Sequence, residues 1–289
     1  MNILVLGGTR FAGVHLVNAL LDNGHQVTIA TRGITQDNFG NKVKRIKLDR
    51  TSKESLTKEL SNSTYDVICD SLAYCSNDVK YLLDVVSCNR YVMISTMSVY
   101  HNLHPNIREE EFDPLDYSLK WCDRADYPYD EVKRQAECAL FKEYPNQSSV
   151  AVRFPFIIGE DDYTKRLYFY VEHVMKGIPM YINNLHSQMA FIQSIEAGNF
   201  LAFLVKHSFT GCINGCSHGT ISIHEIINYV EKKANVKAIY SMDGDTAPYN
   251  HADDYSLSTI RGEELGFKFQ DLKNWIYELL DYYIEVASN

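Results

Sequence analysis

Residues 2–24 read NILVLGGTRFAGVHLVNALLDNG, and the fold follows from how that stretch is divided. The apolar run NILVL at 2–6 suits a strand of a parallel sheet buried on both faces. Beyond it, Phe11, Val14, Val17, Leu20 and Leu21 recur at helical spacing, and Gly24 stops the helix. Between strand and helix stand Gly7, Gly8 and Gly13. Strand, glycine loop and helix in that order are what a dinucleotide site needs. Gly7 allows the tight turn, Gly8 clears the backbone for a phosphate, and Gly13 lets the helix pack closely. The helix N-terminus offers free N–H groups and partial positive charge to a diphosphate. Thr9 and Phe11 complete the loop. Arg10 stands where the middle glycine of such a loop belongs and brings a cation to the phosphate position.

The pattern repeats along the chain. QVTIAT (26–31), KRIKL (44–48), YDVICD (65–70), NRYVMIST (89–96) and SSVAVRFP (148–155) read as further strands, with helices from Ser52 and over about 129–143. Alternating strands and helices predict an α/β chain built on a doubly wound parallel sheet. The last hundred residues are mixed, with helices near 194–207, at 222–234 opened by Ser222, and near 271–286, and a short strand near 211–214. The expected organisation is a Rossmann-type dinucleotide domain over 1–158, with 188–216 returning to it. Residues 159–187 and 217–289 form a smaller α/β substrate lobe.

The formal net charge of the 289 residues is −9, which argues against a general nucleic-acid binder. No apolar run approaches the roughly 18 residues of a membrane span, and no signal peptide pattern opens the chain. The 7 cysteines are scattered, and Cys212 and Cys216 have no second pair to complete a metal site. Reduced thiols in the cytoplasm and no bound metal are the expectation.

Two features bear on chemistry. The second strand ends in Thr31-Arg32-Gly33, without the acid that holds a ribose 2′-OH in NAD sites. An arginine there suits a 2′-phosphate, or is a solvated loop residue; with Arg10 it tilts the reading to NADP(H) over NAD. Tyr129 and Lys133 are four apart, so a helix sets them on one face.

With ISTMSVY (94–100) upstream, Tyr129 and Lys133 resemble the Ser/Thr…Tyr-x-x-x-Lys set of the short-chain dehydrogenases/reductases. RFPFIIGEDDYTKR (153–166), FIQSIEAGNFL (191–201) and Asp254…Glu264-Leu265-Gly266-Phe267 resemble segments of that superfamily's extended branch, the NAD-dependent epimerase/dehydratase family. The GGTRFxG loop resembles an atypical subgroup of it. The resemblance implies that Tyr129 moves a proton at a sugar hydroxyl or carbonyl while NAD(P) exchanges hydride. Thr96 then holds the substrate oxygen, with Ser95 and Ser98 as neighbouring alternatives. Ser95 is also counted with the cofactor set. Lys133 holds the nicotinamide ribose and lowers the phenol pKa, for which a shift of roughly three units takes about 4 kcal/mol. Asp49, in an Asp49-Arg50 pair after the third strand, faces adenine or serves as a turn residue.

Departures narrow the substrate. Family dehydratases follow the catalytic Thr with Asp-Glu; here Met97 and Ser98 follow, which disfavours elimination of water. Phe156 replaces the asparagine that stands near the sugar nucleotide in UDP-galactose-type epimerases, and His101 replaces the glycine after Val99-Tyr100. Lys165 and Arg166 can meet a diphosphate or face solvent. The expected partner is a small-molecule substrate, a nucleotide sugar among the candidates, and the resemblance implies a homodimer as one assembly. The competing reading is a non-catalytic NAD(P)-binding redox sensor or an RNA-binding relative.

Overall fold

The computed structural model describes residues 1–288. In chain order it comprises β1 (Asn2–Leu6), α1 (Ala12–Asp22), β2 (Gln26–Thr31), β3 (Val43–Lys47), α2 (Lys53–Leu60), β4 (Thr64–Asp70), α3 (Ser76–Leu83), β5 (Ser87–Thr96), α4 (Tyr129–Glu143), β6 (Ser148–Phe154) and β7 (Phe156–Ile158). It continues through α5 (Arg166–Lys176), β8 (Met180–Tyr181), β9 (Gln188–Met189), β10 (Phe191–Gln193), α6 (Ser194–Val205), β11 (Gly211–Asn214) and β12 (Ile221–Ser222). α7 (Ile223–Ala234), β13 (Asp245–Thr246), α8 (Ile260–Glu264) and α9 (Ile276–Ser288) complete it.

Seven strands form one parallel sheet in the order β11-β6-β5-β4-β1-β2-β3, which is the predicted doubly wound α/β architecture. Its central strands are apolar on both faces because helices cover both. One face packs Leu16, Val17 and Leu20 of α1 with Phe200 and Leu201 of α6. The other packs Leu56 and Leu60 of α2, Leu82 of α3 and Leu140 of α4. Strand order reverses between β1 and β4, and ligands of such sheets bind outside the strand C-termini at that point. Three two-stranded ribbons, β10-β7, β12-β9 and β13-β8, join the sheet to a second core built on α5, α7 and α9.

Helix α4 is buried without a break from Val132 to Leu140. Its inner face meets the sheet, and its outer face is covered by the irregular segment before it. Gln135 accepts from Lys120 N at 2.6 Å and donates to Ser118 O at 3.1 Å, and Tyr117 donates to Glu131 at 2.8 Å.

Three helices were not read from sequence: α3, α5 and the five-residue α8. α3 lies in the unbroken stretch between two apolar strands, with no glycine or proline to mark its ends. α5, RLYFYVEHVMK, carries four aromatic and β-branched residues of low helix propensity in its first six, and tertiary packing overrides them. The final helix starts at Ile276, later than expected, because Leu272–Asn274 form a separate short turn.

Candidate active site

At the C-terminal ends of β1, β2 and β4 the sheet opens into a cleft of about 500 Å³. Gly7, Gly8, Thr9, Arg10, Phe11 and Gly13 line it. Arg32 and Asp49 border the same space. Gly8 is left-handed (φ +88°), and a Cβ there would come within 3.0 Å of Val17 and 3.2 Å of Val5. Its bare Cα therefore lets α1 close on β1; the room it clears is in the core, not at a phosphate as the sequence suggested. A Cβ on Gly13 would sit 3.0 Å from the Gly8 Cα, so the first turn of α1 rests directly on the loop. Phe11 takes φ 53° at the N-cap, a costly conformation for a residue with a side chain.

The cleft also holds unpaired donors. Arg50 is buried in its floor; Nη2 donates to Asp70 at 2.6 Å, while Nε and Nη1 have no partner. Ser71 Oγ, on the same wall, has none. A buried polar group left unpaired costs about 1–3 kcal/mol. Such a cleft fits a ligand rich in acceptor atoms, as a dinucleotide is. Asp49 accepts from the Thr51 hydroxyl at 2.7 Å and the Thr51 N–H at 2.9 Å. Those bonds, with the nearby Arg32 and Arg124 charges, hold its carboxyl below the usual range.

Tyr74 forms the far wall of the cleft. Its ring meets Tyr129 edge-on at 6.2 Å, and the Lys133 ammonium lies 5.3 Å from its centre. Tyr129 opens α4 and Thr96 closes β5. Thr96 Oγ1 donates to Ser98 Oγ at 3.3 Å and accepts from Ser98 N at 3.2 Å. Burial pushes the Tyr129 phenol above its ordinary pKa, and a hydrogen bond with Thr96 and the Arg166 charge pull it back in part.

Lys133 behaves differently from the expectation. Only 4% exposed, its Nζ donates to Ala73 O at 2.9 Å and Ile94 O at 2.7 Å. Its ammonium lies 5.3 Å from the centre of the Tyr74 ring, and the cation whose charge acts on the Tyr129 phenol is Arg166. Desolvation lowers the Lys133 pKa to about 8, despite the carboxylates of Glu137, Asp70 and Asp78. The folded chain therefore gives up this proton before the unfolded chain does. Below pH 8 both forms carry it and the desolvation penalty is complete; between pH 8 and about 10.5 stability rises as the penalty lifts. Urea unfolding of wild type against Lys133→Met across pH 7 to 10.5 should show a rise of roughly 3 kcal/mol present only in wild type.

Ser95 corrects a second expectation. Its hydroxyl donates to Glu137 and the residue is buried behind the strand, so its side chain does not reach the cleft. Lys165 points its Nζ over the Tyr168 ring at 5.5 Å and is exposed. Arg166 lies over Phe156 at 4.8 Å, and Ser98 is half-buried beside Thr96. His101 packs against Phe112 and Tyr117, and His104 pairs with Glu111 at 2.7 Å. No cluster of metal-ligating side chains occurs among the described residues.

A family model for the NAD dependent epimerase/dehydratase family matches residues 3–207, which span the whole cleft and the Thr96–Tyr129 pair. The chain belongs to that family. The epimerase/dehydratase fold extends over its full length. UDP-glucuronic acid 4-epimerase from Bacillus cereus, in complex with NAD, superposes with a TM-score of 0.74 at 17% identity, covering 99% of this chain and 100% of that one. UDP-glucose 4-epimerase from Thermotoga maritima, with UDP-glucose, gives 0.75 at 13% identity over 99% of each chain. The chloroplast stem-loop binding protein of 41 kDa b from Arabidopsis thaliana is 31% identical over 128 residues, 39% of this chain and 34% of that protein. This chain thus matches about a third of that relative's length.

Arg50, Ser71, Tyr74, Arg124 and Tyr163 line the cleft without having been singled out from sequence. Arg124 comes from the irregular segment before α4, where no periodicity shows which side chains turn inward. It donates to Asp78 at 2.9 Å and Leu72 O at 2.7 Å and stacks on Tyr74 at 4.6 Å.

Proposed function

We propose that this protein is an NAD(P)-dependent epimerase of a nucleotide sugar, with Tyr129 as its acid/base. What supports the reading is Tyr129 at the start of α4 with its ring edge-on to Tyr74 at 6.2 Å, and so one aromatic ring away from a cleft whose buried donors lack partners, with Thr96 nearby at the end of β5. The glycine loop, Arg10, Arg32 and Asp49 would hold the dinucleotide, which supplies reversible hydride transfer when bound. Thr96 orients the substrate oxygen. Tyr129, protonated at neutral pH, donates to a carbonyl oxygen and takes the proton back when a hydroxyl is oxidised. Oxidation, turning of the ketone and reduction of its other face leave no net redox change. Arg166, close enough for its charge to act on Tyr129, suits a phosphate or carboxylate of the substrate. Met97 and Ser98, where dehydratases carry Asp-Glu, offer no carboxylate to eliminate water.

The test is incubation with UDP-glucose and UDP-glucuronic acid, followed by NMR of the sugar ring. Inversion at one carbon with constant nucleotide absorbance supports the epimerase; stoichiometric loss of NAD(P)H absorbance would make it a reductase. Cofactor choice is separate. Arg32 borders the cleft just after β2, where such sites meet the adenosine ribose, so NADPH should bind more tightly than NADH, and Arg32→Ser should weaken NADPH about tenfold while sparing NADH. Fluorescence titration with both nucleotides checks this; equal loss for both would make Arg32 a general contact.

A further inference from the structure

We propose that Arg10 and Tyr163 form a latch that closes over the diphosphate of the bound dinucleotide and slows its release. The proposal rests on the cofactor reading above. Three separate segments meet at Arg10. It stands in the glycine loop, its Nε donates to Thr35 Oγ1 at 3.1 Å after β2, and its guanidinium lies 5.3 Å from the Tyr163 ring. Tyr163 belongs to the loop between β7 and α5, and also meets Phe11 edge-on at 6.1 Å. Arg10, Thr35, Phe11 and Tyr163 all line the cleft, so these contacts span its mouth.

The root of the Tyr163 loop is tied down on two sides. Asp161 meets His15 of α1 at 3.1 Å and accepts from Ser194 Oγ of α6 at 2.7 Å. Gly159 O accepts from the Tyr283 hydroxyl of α9 at 2.6 Å. The tip, by contrast, is open: Tyr163 is 60% exposed although it lies between two side chains. A dinucleotide in the cleft would cover that ring.

Arg10 is equipped for phosphate. No carboxylate among the described residues pairs with it, and Nε alone is engaged, so both terminal nitrogens remain available. A guanidinium fork binds phosphate oxygens in pairs, and an aromatic face fixes its plane. Tyr163 therefore acts through Arg10, by fixing its guanidinium over the diphosphate. Retention has a chemical purpose in an epimerase, where the dinucleotide that removes hydride must stay to return it.

The experiment is a dissociation rate. Protein loaded with NADH or NADPH is mixed with excess oxidised nucleotide, and loss of bound-nucleotide fluorescence is followed in a stopped-flow instrument. Tyr163→Ala should release nucleotide about tenfold faster, and Tyr163→Phe, which keeps the ring, should match wild type. Arg10→Met should also release faster, and adding Tyr163→Ala to it should change little, because one contact is removed twice. A wild-type rate in Tyr163→Ala would overturn the latch while leaving the cofactor site standing. Failure of wild type to bind either nucleotide would remove the site and the latch together.

Discussion

Tyr129→Phe should fold, bind dinucleotide as wild type does, and turn over about a thousandfold more slowly. The substitution deletes one oxygen at the first residue of α4. Tyr129 is half exposed, and its edge contact with Tyr74 needs only the ring. The cleft wall and the helix start therefore survive, and stability should fall by no more than about 1 kcal/mol for the hydrogen bond lost to Thr96. The proton transfer has no equivalent substitute: Thr96 is a weaker acid, and two of the three Lys133 N–H donors are held by Ala73 O and Ile94 O. Because burial raises the phenol pKa, Tyr129 is supplied as an acid, and the oxidising half-reaction should accelerate as pH rises towards it. Thr96→Val, which removes an orienting group but not the proton donor, should cost less. Retention of more than a tenth of wild-type turnover in Tyr129→Phe would end the acid/base assignment.

What the sequence disclosed and what it hid divide along physical lines. The central sheet was legible because its inner strands are apolar on both faces, and no other short element needs that; β3, at the edge, exposes Lys44, Arg45 and Lys47. The range of α4 was legible from its amphipathic ends. The cleft was legible where glycines make it, and illegible where its walls come from loops: Arg124 and Tyr163 sit in stretches with no period to say which way a side chain turns. Ser95 misled because neighbours on a strand face opposite sides. If Thr96 faces the reacting centre, Ser95 must face the back of the sheet, where Glu137 takes it. Lys133 misled for another reason. Helical spacing put it on one face with Tyr129, but spacing is silent about the Ala73 and Ile94 carbonyls that take its ammonium and about Tyr74, whose ring centre lies 5.3 Å from it.

That hidden back layer carries the largest expected loss of stability. Arg153 on β6 and Glu137 on α4 are both 0% exposed and paired at 2.6 Å. Glu137 also accepts from Ser95, and Arg153 donates to Glu109 O and Phe112 O, each at 2.9 Å. The pair thus fastens β5, β6, α4 and the segment that covers that helix. Arg153→Met should cost about 3–5 kcal/mol, because it strands the Glu137 carboxylate in a space with no water. For a chain of this size that is a fall of roughly 10 °C in Tm. Removing both charges should be milder than removing one: Arg153→Met with Glu137→Leu leaves no buried ion, and replacing such a pair by apolar side chains is often close to neutral. Its remaining cost is the lost bonds to Ser95, Cys212, the Tyr100 hydroxyl and the two carbonyls. Urea unfolding of the two single variants and the double variant decides the matter. A double variant more stable than either single one is the expected sign, whereas single losses below about 1 kcal/mol would mean that water reaches the pair.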